Sequence, residues 1–160
     1  MGVIEAGPGA LEAFIRHVGD GEPIVLINLL RYRQRADVPG EQLTGRQAYQ
    51  RYARAVGPML MAVGGRPIWR GQGRFVLIGP AGERWDEIIL VAYPSRGAFE
   101  RLLNLPGFRA CAGLRAAALD DSRLIVATAP RRIGRLSWLL YTLVTRLRRP
   151  GLPPSAVAGT

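Results

Sequence analysis

Apolar residues recur along this chain in two patterns, one typical of strands and one typical of helices. Residues 24–33 (IVLINLLRYR) and residues 84–93 (RWDEIILVAY) each contain a nearly continuous apolar run that is rich in isoleucine, leucine and valine. Runs of this length predict buried β-strands. Two further strands are predicted, at residues 66–79, where two glycines indicate a bulge or a hairpin turn, and at residues 122–129.

Apolar residues spaced every three or four positions predict four helices. These helices cover residues 8–18, 44–63, 95–105 and 108–119. The second begins with a capping box, because Thr44 is followed three positions later by Gln47. Pro58 is expected to kink this helix, and the glycine pair at positions 64 and 65 ends it.

The elements of residues 1–129 therefore follow the order helix, then β-α-β-β-α-β. This order predicts an α+β fold of the ferredoxin-like type, a four-stranded antiparallel sheet with an extra N-terminal helix. A sheet with helices on one face normally alternates apolar and polar residues, but residues 25–27 and 88–91 are apolar throughout. Both faces of the sheet are then apolar, and residues 1–129 have no spare element to cover the second face. We expect a homodimer in which two identical sheets pack face to face.

The positive charge of the chain is concentrated at its C-terminus. All 22 basic residues are arginines, against 12 acidic residues, which gives a net charge of +10. Residues 1–129 hold 16 arginines and all 12 acidic residues, a net charge of +4, and residues 130–160 hold six arginines and no acidic residue, a net charge of +6. We predict a folded domain at residues 1–129, a basic amphipathic helix at 130–149 and a disordered tail at 150–160.

The predicted C-terminal helix carries an apolar stripe from Ile133 to Leu147, flanked by arginines. The apolar centre of this stripe is shorter than the roughly 20 residues that span a bilayer. We expect an interfacial helix on anionic lipid, with docking on the folded domain or in the dimer interface as the alternative. Nucleic acid is not an expected partner, because residues 1–129 show no platform of basic and aromatic residues. The single cysteine and the lack of a signal peptide favour a cytoplasmic protein, peripheral to the inner face of the membrane if the helix binds lipid.

The residues present exclude several classes of chemistry. His17 is the only histidine, so a histidine-rich zinc or iron site is not expected, and axial haem ligation could come only from His17, Cys111 or a tyrosine. The chain has no P-loop, no dinucleotide-binding G-x-G-x-x-G motif and no G-x-S-x-G nucleophile motif. We therefore expect no cofactor and no metal.

Polar residues within and beside the predicted strands are candidate catalytic residues. Asn28 lies in an apolar strand, where its amide must be hydrogen-bonded, either to local backbone or to a ligand in the pocket. Asp86 lies in phase with Ile88, so that it would face an apolar cavity and could accept a proton from a substrate. The alternative is a structural ion pair between Asp86 and Arg31 or Arg84.

Arg96 is the third candidate catalytic residue, in the first turn of a predicted helix. A cation is disfavoured there, and an acidic ligand held by Arg96 and the helix amides would explain it. A salt bridge with Glu100 or with the partner subunit is the alternative. The candidate ligand-binding residues are Arg31, Tyr49, Tyr52, Trp69, Trp85, Tyr93 and Phe99. Aromatic residues at such positions are more often part of a hydrophobic core than of a ligand site.

The order of several motifs along the chain resembles a known bacterial family. The motifs are Asn28–Arg33, Tyr49 with Tyr52, Gly64–Gly65, Trp69 with Gly71, Ile78–Gly79, Trp85–Asp86, and Tyr93–Arg96 with Phe99. They resemble the domain-of-unknown-function family numbered thirteen-thirty, within the dimeric α+β barrel superfamily, over residues from about Pro8 to Ala127. The chain departs from the family at Phe108, where the family tends to carry a tyrosine, and in its extension after Pro130.

The resemblance implies a ferredoxin-like fold and a barrel formed by two subunits. Related branches of the superfamily include cofactor-independent monooxygenases, lactone isomerases and haem-binding enzymes, and the family itself has no established reaction. We expect a dimeric protein that binds a small hydrophobic or acidic molecule in a barrel pocket. An enzyme of this kind would be a cofactor-independent monooxygenase or isomerase, in which Asp86 is the base and Asn28, with Arg31 or Arg96, stabilises an oxyanion. The alternative is a non-catalytic binding module at the membrane surface.

Overall fold

The computed structural model describes residues 2–128, and its elements follow the predicted order. The strands are β1 (Ile24–Tyr32), β2 (Arg66–Gly71), β3 (Glu87–Tyr93) and β4 (Leu119–Thr128). The helices are α1 (Ala10–His17), α2 (Gly45–Ala62), α3 (Arg96–Asn104) and α4 (Pro106–Ala118). The predicted helix at 130–149 and the predicted disordered tail at 150–160 lie outside the described residues.

The four strands form one antiparallel sheet in the order β2-β3-β1-β4. β1 lies between β3 and β4, with Ile24 opposite both Tyr93 and Thr128. The chain makes two β-α-β units whose strands interleave in this way, because α2 follows β1 and the pair α3 and α4 follows β3. The predicted ferredoxin-like α+β fold is therefore confirmed.

One face of the sheet packs against the helices and carries the hydrophobic core. Ile24, Leu26 and Leu30 alternate along β1 and are buried, as period-2 side-chain geometry requires. Helix α2 contributes Val56 and Leu60 to the same core. The predicted capping box forms at the start of α2, and the helix runs through Pro58 to Ala62.

The opposite face, called the open face below, is mostly apolar and is uncovered within the described chain. Arg31, Arg66 and Arg123 also lie on it. The strand pairing places nine apolar side chains on it, and none of them is buried. They are Val25, Ile27, Leu29, Trp69, Ile88, Leu90, Ala92, Ile125 and Ala127. The expectation of a sheet with two apolar faces is met.

β2 is shorter than the predicted strand at residues 66–79, because it ends at Gly71 and residues 72–86 form a loop. The loop closes at its base, where the amide of Gly73 donates to the carbonyl of Asp86 at 3.3 Å. A side chain at Gly73 would lie 2.1 Å from the carbonyl oxygen of Trp85, so only glycine fits this approach. β2 also shifts register between Pro67 and Trp69.

Within residues 2–128, no helix is both long enough and apolar enough to cross a membrane.

Candidate ligand-binding site

Glu87 is an acidic residue buried on the helix-covered face of the sheet. It opens β3, lies opposite Leu30 of β1, and is only 3% exposed. Its carboxylate accepts hydrogen bonds from the hydroxyl of Tyr32 and from Nε of Arg70. Arg46 of α2 lies 3.9 Å from the same carboxylate, and its guanidinium stands 5.0 Å from the centroid of the Tyr32 ring. A buried charge needs such partners, so these four residues form one cluster.

The cluster fixes the protonation states of its members. Burial alone would raise the pKa of Glu87, but the hydrogen bonds from Arg70 and Tyr32 and the charges of Arg70 and Arg46 outweigh it and hold that pKa below its usual value. Burial, the hydrogen bond to Glu87 and the carboxylate charge raise the pKa of Tyr32. At neutral pH, Glu87 is therefore a carboxylate that accepts a proton poorly, and Tyr32 is a neutral hydroxyl.

Tyrosines extend from this cluster along α2. The ring centroids of Tyr32 and Tyr49 are 5.5 Å apart, and those of Tyr49 and Tyr52 are 5.4 Å apart. Both pairs are tilted, a favourable arrangement for aromatic rings. Burial raises the pKa of both Tyr49 and Tyr52. These rings form the apolar wall beside the charged cluster.

A groove on the protein surface lies next to the cluster. It has a volume of about 420 Å³ and is lined by Gln50, Ala53, Arg54 and Arg70; it is called the arginine groove below. Arg46, Gln50 and Arg54 follow one another at four-residue spacing on α2, so they share one side of the helix. Arg70 joins the groove to the cluster because it lines the groove and also bonds to Glu87.

The charge of the groove is positive. Its lining holds Arg54 and Arg70 and no acidic residue, and Arg46 lies beside it. The single carboxylate of Glu87 balances one of these three charges, so an excess positive charge is left. Guanidinium groups bind carboxylates and phosphates through paired hydrogen bonds. The arrangement is therefore suited to a small anion.

The predicted catalytic residues Asn28 and Asp86 both bond to backbone. Nδ2 of Asn28 donates to the carbonyl of Ile89 at 3.3 Å, on the helix-covered side of the sheet. Oδ2 of Asp86 accepts from the backbone amide of Tyr32 at 2.7 Å. Asp86 precedes β3 and ties the start of that strand to the end of β1. The contact of Asn28 is the backbone hydrogen bond that was its structural alternative. The structural alternative for Asp86 was an ion pair with Arg31 or Arg84, and its observed partner is the amide of Tyr32 instead.

Arg96 lies at the other end of β3, in the first turn of α3. It is nearly buried and pairs with Glu100, the partner four residues along the helix, and with Asp20 at 3.5 Å. The first three amides of α3 are already bonded, to the carbonyls of Glu22 and Asp20 and to Ser95. The amides that would help Arg96 to hold an acidic ligand are therefore occupied, and the alternative of a salt bridge with Glu100 is what forms.

The predicted ligand-binding residues fall into separate places. Tyr49 and Tyr52 lie beside the Glu87 cluster, whereas Tyr93 and Phe99 pack edge to face in the core, with ring centroids 5.2 Å apart. Arg31 pairs with Asp120 at 2.8 Å. The last two residues belong to the open side of the sheet. They are Trp69, half-exposed on β2, and Trp85, whose ring lies 5.3 Å from the Arg123 guanidinium.

Of the predicted site residues, only Tyr49 and Tyr52 therefore lie beside the Glu87 cluster within one chain. None of the four residues of that cluster was among the predicted site residues. The sequence did contain a signal for Glu87. Glu87 has the same period-2 phase as Ile89, Val91 and Tyr93, and Tyr93 belongs to the hydrophobic core. The predicted catalytic carboxylate was its neighbour Asp86, which has the opposite parity.

Metal binding finds no support in residues 2–128, where no group of three or more histidine, cysteine or acidic residues is placed to hold an ion.

Comparison with known proteins identifies relatives of unknown function. The family model described as Domain of unknown function (DUF1330) matches residues 40–129. The RPA0582 protein of unknown function from Rhodopseudomonas palustris is 36% identical over 82% of this chain and 99% of its own, with a TM-score of 0.76. No curated protein matches the chain in sequence.

Two more distant structures are also similar to this chain. A dimeric protein of unknown function with a ferredoxin-like fold, from Bacteroides fragilis, is 15% identical over 69% of this chain and 100% of its own, with a TM-score of 0.45. SnoaB, a cofactor-independent oxygenase from Streptomyces nogalater, is 17% identical over 70% of this chain and 97% of its own, with a TM-score of 0.41.

Proposed function

The chain belongs to the family of the domain of unknown function DUF1330, and on this premise we propose that it is a homodimeric protein that binds a small acidic molecule in the arginine groove. The observation that carries the proposal is the unbalanced charge of the groove. Arg54 and Arg70 line the groove, and Arg46 lies beside it in the Glu87 cluster. Glu87 neutralises one of these three arginines through its bond to Arg70, so the groove and the cluster together keep an excess positive charge. A ligand carboxylate would supply the missing negative charge.

The chemistry of the cluster favours binding over proton transfer. A general base works best when its pKa lies near the working pH, but the pKa of Glu87 is held below its usual value by Arg70, Tyr32 and Arg46. The raised pKa of Tyr32 keeps its proton in place. The cluster is thus better suited to orient Arg70 toward the groove than to move a proton.

The enzymatic alternative is a cofactor-independent monooxygenase or isomerase with Asp86 as base. It would need Asn28 and either Arg31 or Arg96 near the same substrate. Asp86 and Arg96 lie at opposite ends of the seven-residue strand β3, roughly 20 Å apart at the usual rise per residue. Arg31 pairs with Asp120 and lies on the open face, whereas Asn28 lies on the helix-covered face. We therefore favour the non-catalytic binding module.

The homodimer rests on the open face. Nine apolar side chains lie on it without being buried, and a contiguous apolar surface of this kind is characteristic of an interaction site. A second copy offers an identical apolar sheet, and two such sheets pack well at the usual separation of about 10 Å. Contact with anionic lipid through Ile133 to Leu147 stays a prediction of the sequence, which flotation of the full chain with anionic vesicles tests.

Calorimetric titration with benzoate and with its neutral analogue benzamide tests the groove. We expect benzoate to bind and benzamide not to bind, because the arginines select the charge. Arg54→Gln should weaken benzoate binding about tenfold or more, the usual effect of losing one charged hydrogen bond.

Arg51→Gln is the matched control, because Arg51 lies on the same helix but pairs with Glu41 at 2.8 Å and does not line the groove. Its effect on benzoate binding should stay within twofold. Equal binding of benzoate and benzamide, or equal losses in the two arginine variants, would contradict the proposal. An oxidised or isomerised product in the recovered titrant would favour the enzymatic alternative.

A further inference from the structure

The loop of residues 72–86 presents the most exposed large apolar side chains of the described chain. Phe75, Leu77 and Ile78 are 84%, 86% and 92% exposed. Three such side chains within four positions leave a large apolar surface in water, which is unfavourable unless a partner covers it. Neither the fold nor the arginine groove accounts for them.

The loop is closed at its base. The amide of Gly73 bonds to the carbonyl of Asp86, and within the loop the amide of Glu83 bonds to the carbonyl of Pro80 at 3.1 Å. Gly82 completes that turn with a φ of 80°, a conformation that favours glycine. The two ends of the loop thus meet, as in a compact surface loop. The exposed apolar residues therefore lie on a loop that is closed by defined contacts.

The loop is continuous with the open face of the sheet. Trp85, at its base, is buried, and its ring lies 5.3 Å from the guanidinium of Arg123. Arg123 lies opposite Leu29, one of the open-face residues. At the other end of the loop, β2 carries Trp69 on the same face. The loop thus leaves the sheet from the side that is apolar and uncovered.

The charge of the loop indicates the class of partner. Residues 72–86 contain two arginines, one glutamate and one aspartate, so the loop carries no net charge. A loop that inserts into an anionic membrane or contacts nucleic acid is expected to be basic. A neutral, apolar loop beside an apolar sheet is suited to an apolar protein surface, and the open face of an identical chain is such a surface.

We propose that Phe75, Leu77 and Ile78 pack against a second copy of this chain, as an arm that extends the interface formed by the open face. The inference rests on the homodimer of the proposed function. It adds that the interface is built from two parts of each chain, the sheet and the loop, so that each copy holds its partner with an apolar arm.

Sedimentation equilibrium of the full chain tests the arm. The triple variant Phe75→Ser, Leu77→Ser, Ile78→Ser should raise the dimer Kd by roughly 100-fold or more, because three apolar contacts are lost. Met61→Ser is the control: Met61 is 70% exposed on α2, a helix that packs on the other face of the sheet, and the dimer Kd of this variant should not change. The far-ultraviolet circular dichroism spectrum should be the same for all three proteins.

A second measurement does not depend on the folding of the triple variant. A photocrosslinking benzoylphenylalanine in place of Leu77 should give a covalent dimer on irradiation, and a crosslink confined to one chain would overturn the arm. A wild-type dimer whose Kd is unchanged in the triple variant would overturn the arm alone. A monomeric wild type would remove both the arm and the proposed homodimer. Vesicle binding that is lost in the triple variant, with dimerisation intact, would assign the loop to a membrane and overturn the proposal.

Discussion

Glu87 is the residue whose replacement tests the candidate site most directly. Glu87→Gln keeps the shape of the side chain but removes the charge that Arg70 and Arg46 face. We expect the free energy of unfolding at neutral pH to fall by about 2 kcal/mol, because charged hydrogen bonds are replaced by neutral ones in a buried place. Urea unfolding of the two proteins measures the difference, and an unchanged midpoint would show that the cluster contributes nothing to stability.

The same pair of proteins gives a pH dependence with a defined sign. The pKa of Glu87 in the folded chain lies below its ordinary value of 4.5, so the unfolded chain takes up the proton first. The stability contributed by Glu87 is therefore fully present above pH 4.5 and is lost as the pH falls through the folded-state pKa. The stability difference between wild type and Glu87→Gln should shrink over that acid range. A stability difference that grows toward low pH would show that folding does not lower the pKa of Glu87.

Single-residue roles were the part of this protein that sequence patterns predicted least well. The apolar run identified Asn28 as a polar residue inside a strand, and its side chain lies on the helix-covered face of the sheet. The pattern could not choose between Asp86 and Glu87, because adjacent carboxylates at the start of a strand point to opposite faces and the start itself is uncertain by a residue or two. Nor could it place Arg70 against Glu87, since that contact depends on the pairing of β2 with β3.

Among the elements, α2 depends on one close approach at its first residue. A Cβ on Gly45 would lie 2.4 Å from the carbonyl oxygen of Ala118 and 2.5 Å from that of Arg33. Because both obstacles are backbone, Gly45→Ala should cost about 3 kcal/mol or more of stability. Gly113→Ala in α4 is the control, since nothing lies within 4 Å of its added carbon, and alanine should stabilise that helix by about 0.5–1 kcal/mol. Thermal unfolding checks both, and a neutral Gly45→Ala would mean that α2 can move away from the sheet.

Whole elements were predicted well where hydrophobic periodicity was long and turn residues were clear. The capping box at Thr44 fixed the start of α2, and the apolar runs identified β1 and β3. The strand predicted across residues 66–79 was wrong beyond Gly71, because residues 75–78 are apolar and strand-like in sequence but pair with no strand in the described chain. Apolar composition alone does not show whether a segment is buried within its own chain or exposed on its surface.

At the scale of the molecule, two adjacent residues of β4 distinguish the faces of the sheet. Leu124 and Ile125 are 47% and 49% exposed, but Ile125 lies opposite Ile27 on the open face and Leu124 lies opposite Asn28 on the other face. Ile125→Arg should shift the equilibrium from dimer to monomer, since it places a charge in the proposed interface, whereas Leu124→Arg should not. Light scattering across a concentration series measures the two masses, and equal behaviour of the variants would exclude the open face as the interface.

β2 is an edge strand of the sheet, and its irregular backbone limits the addition of further strands at that edge. Pro67 has no amide hydrogen to donate, and the register shift that follows it interrupts the regular backbone spacing. A strand of this kind is a poor template for strand addition. Copies of this chain are therefore directed away from open-ended growth by pairing at this edge, as in fibrils. The proposed contact through sheet faces would instead close after two subunits and leave a particle of fixed size.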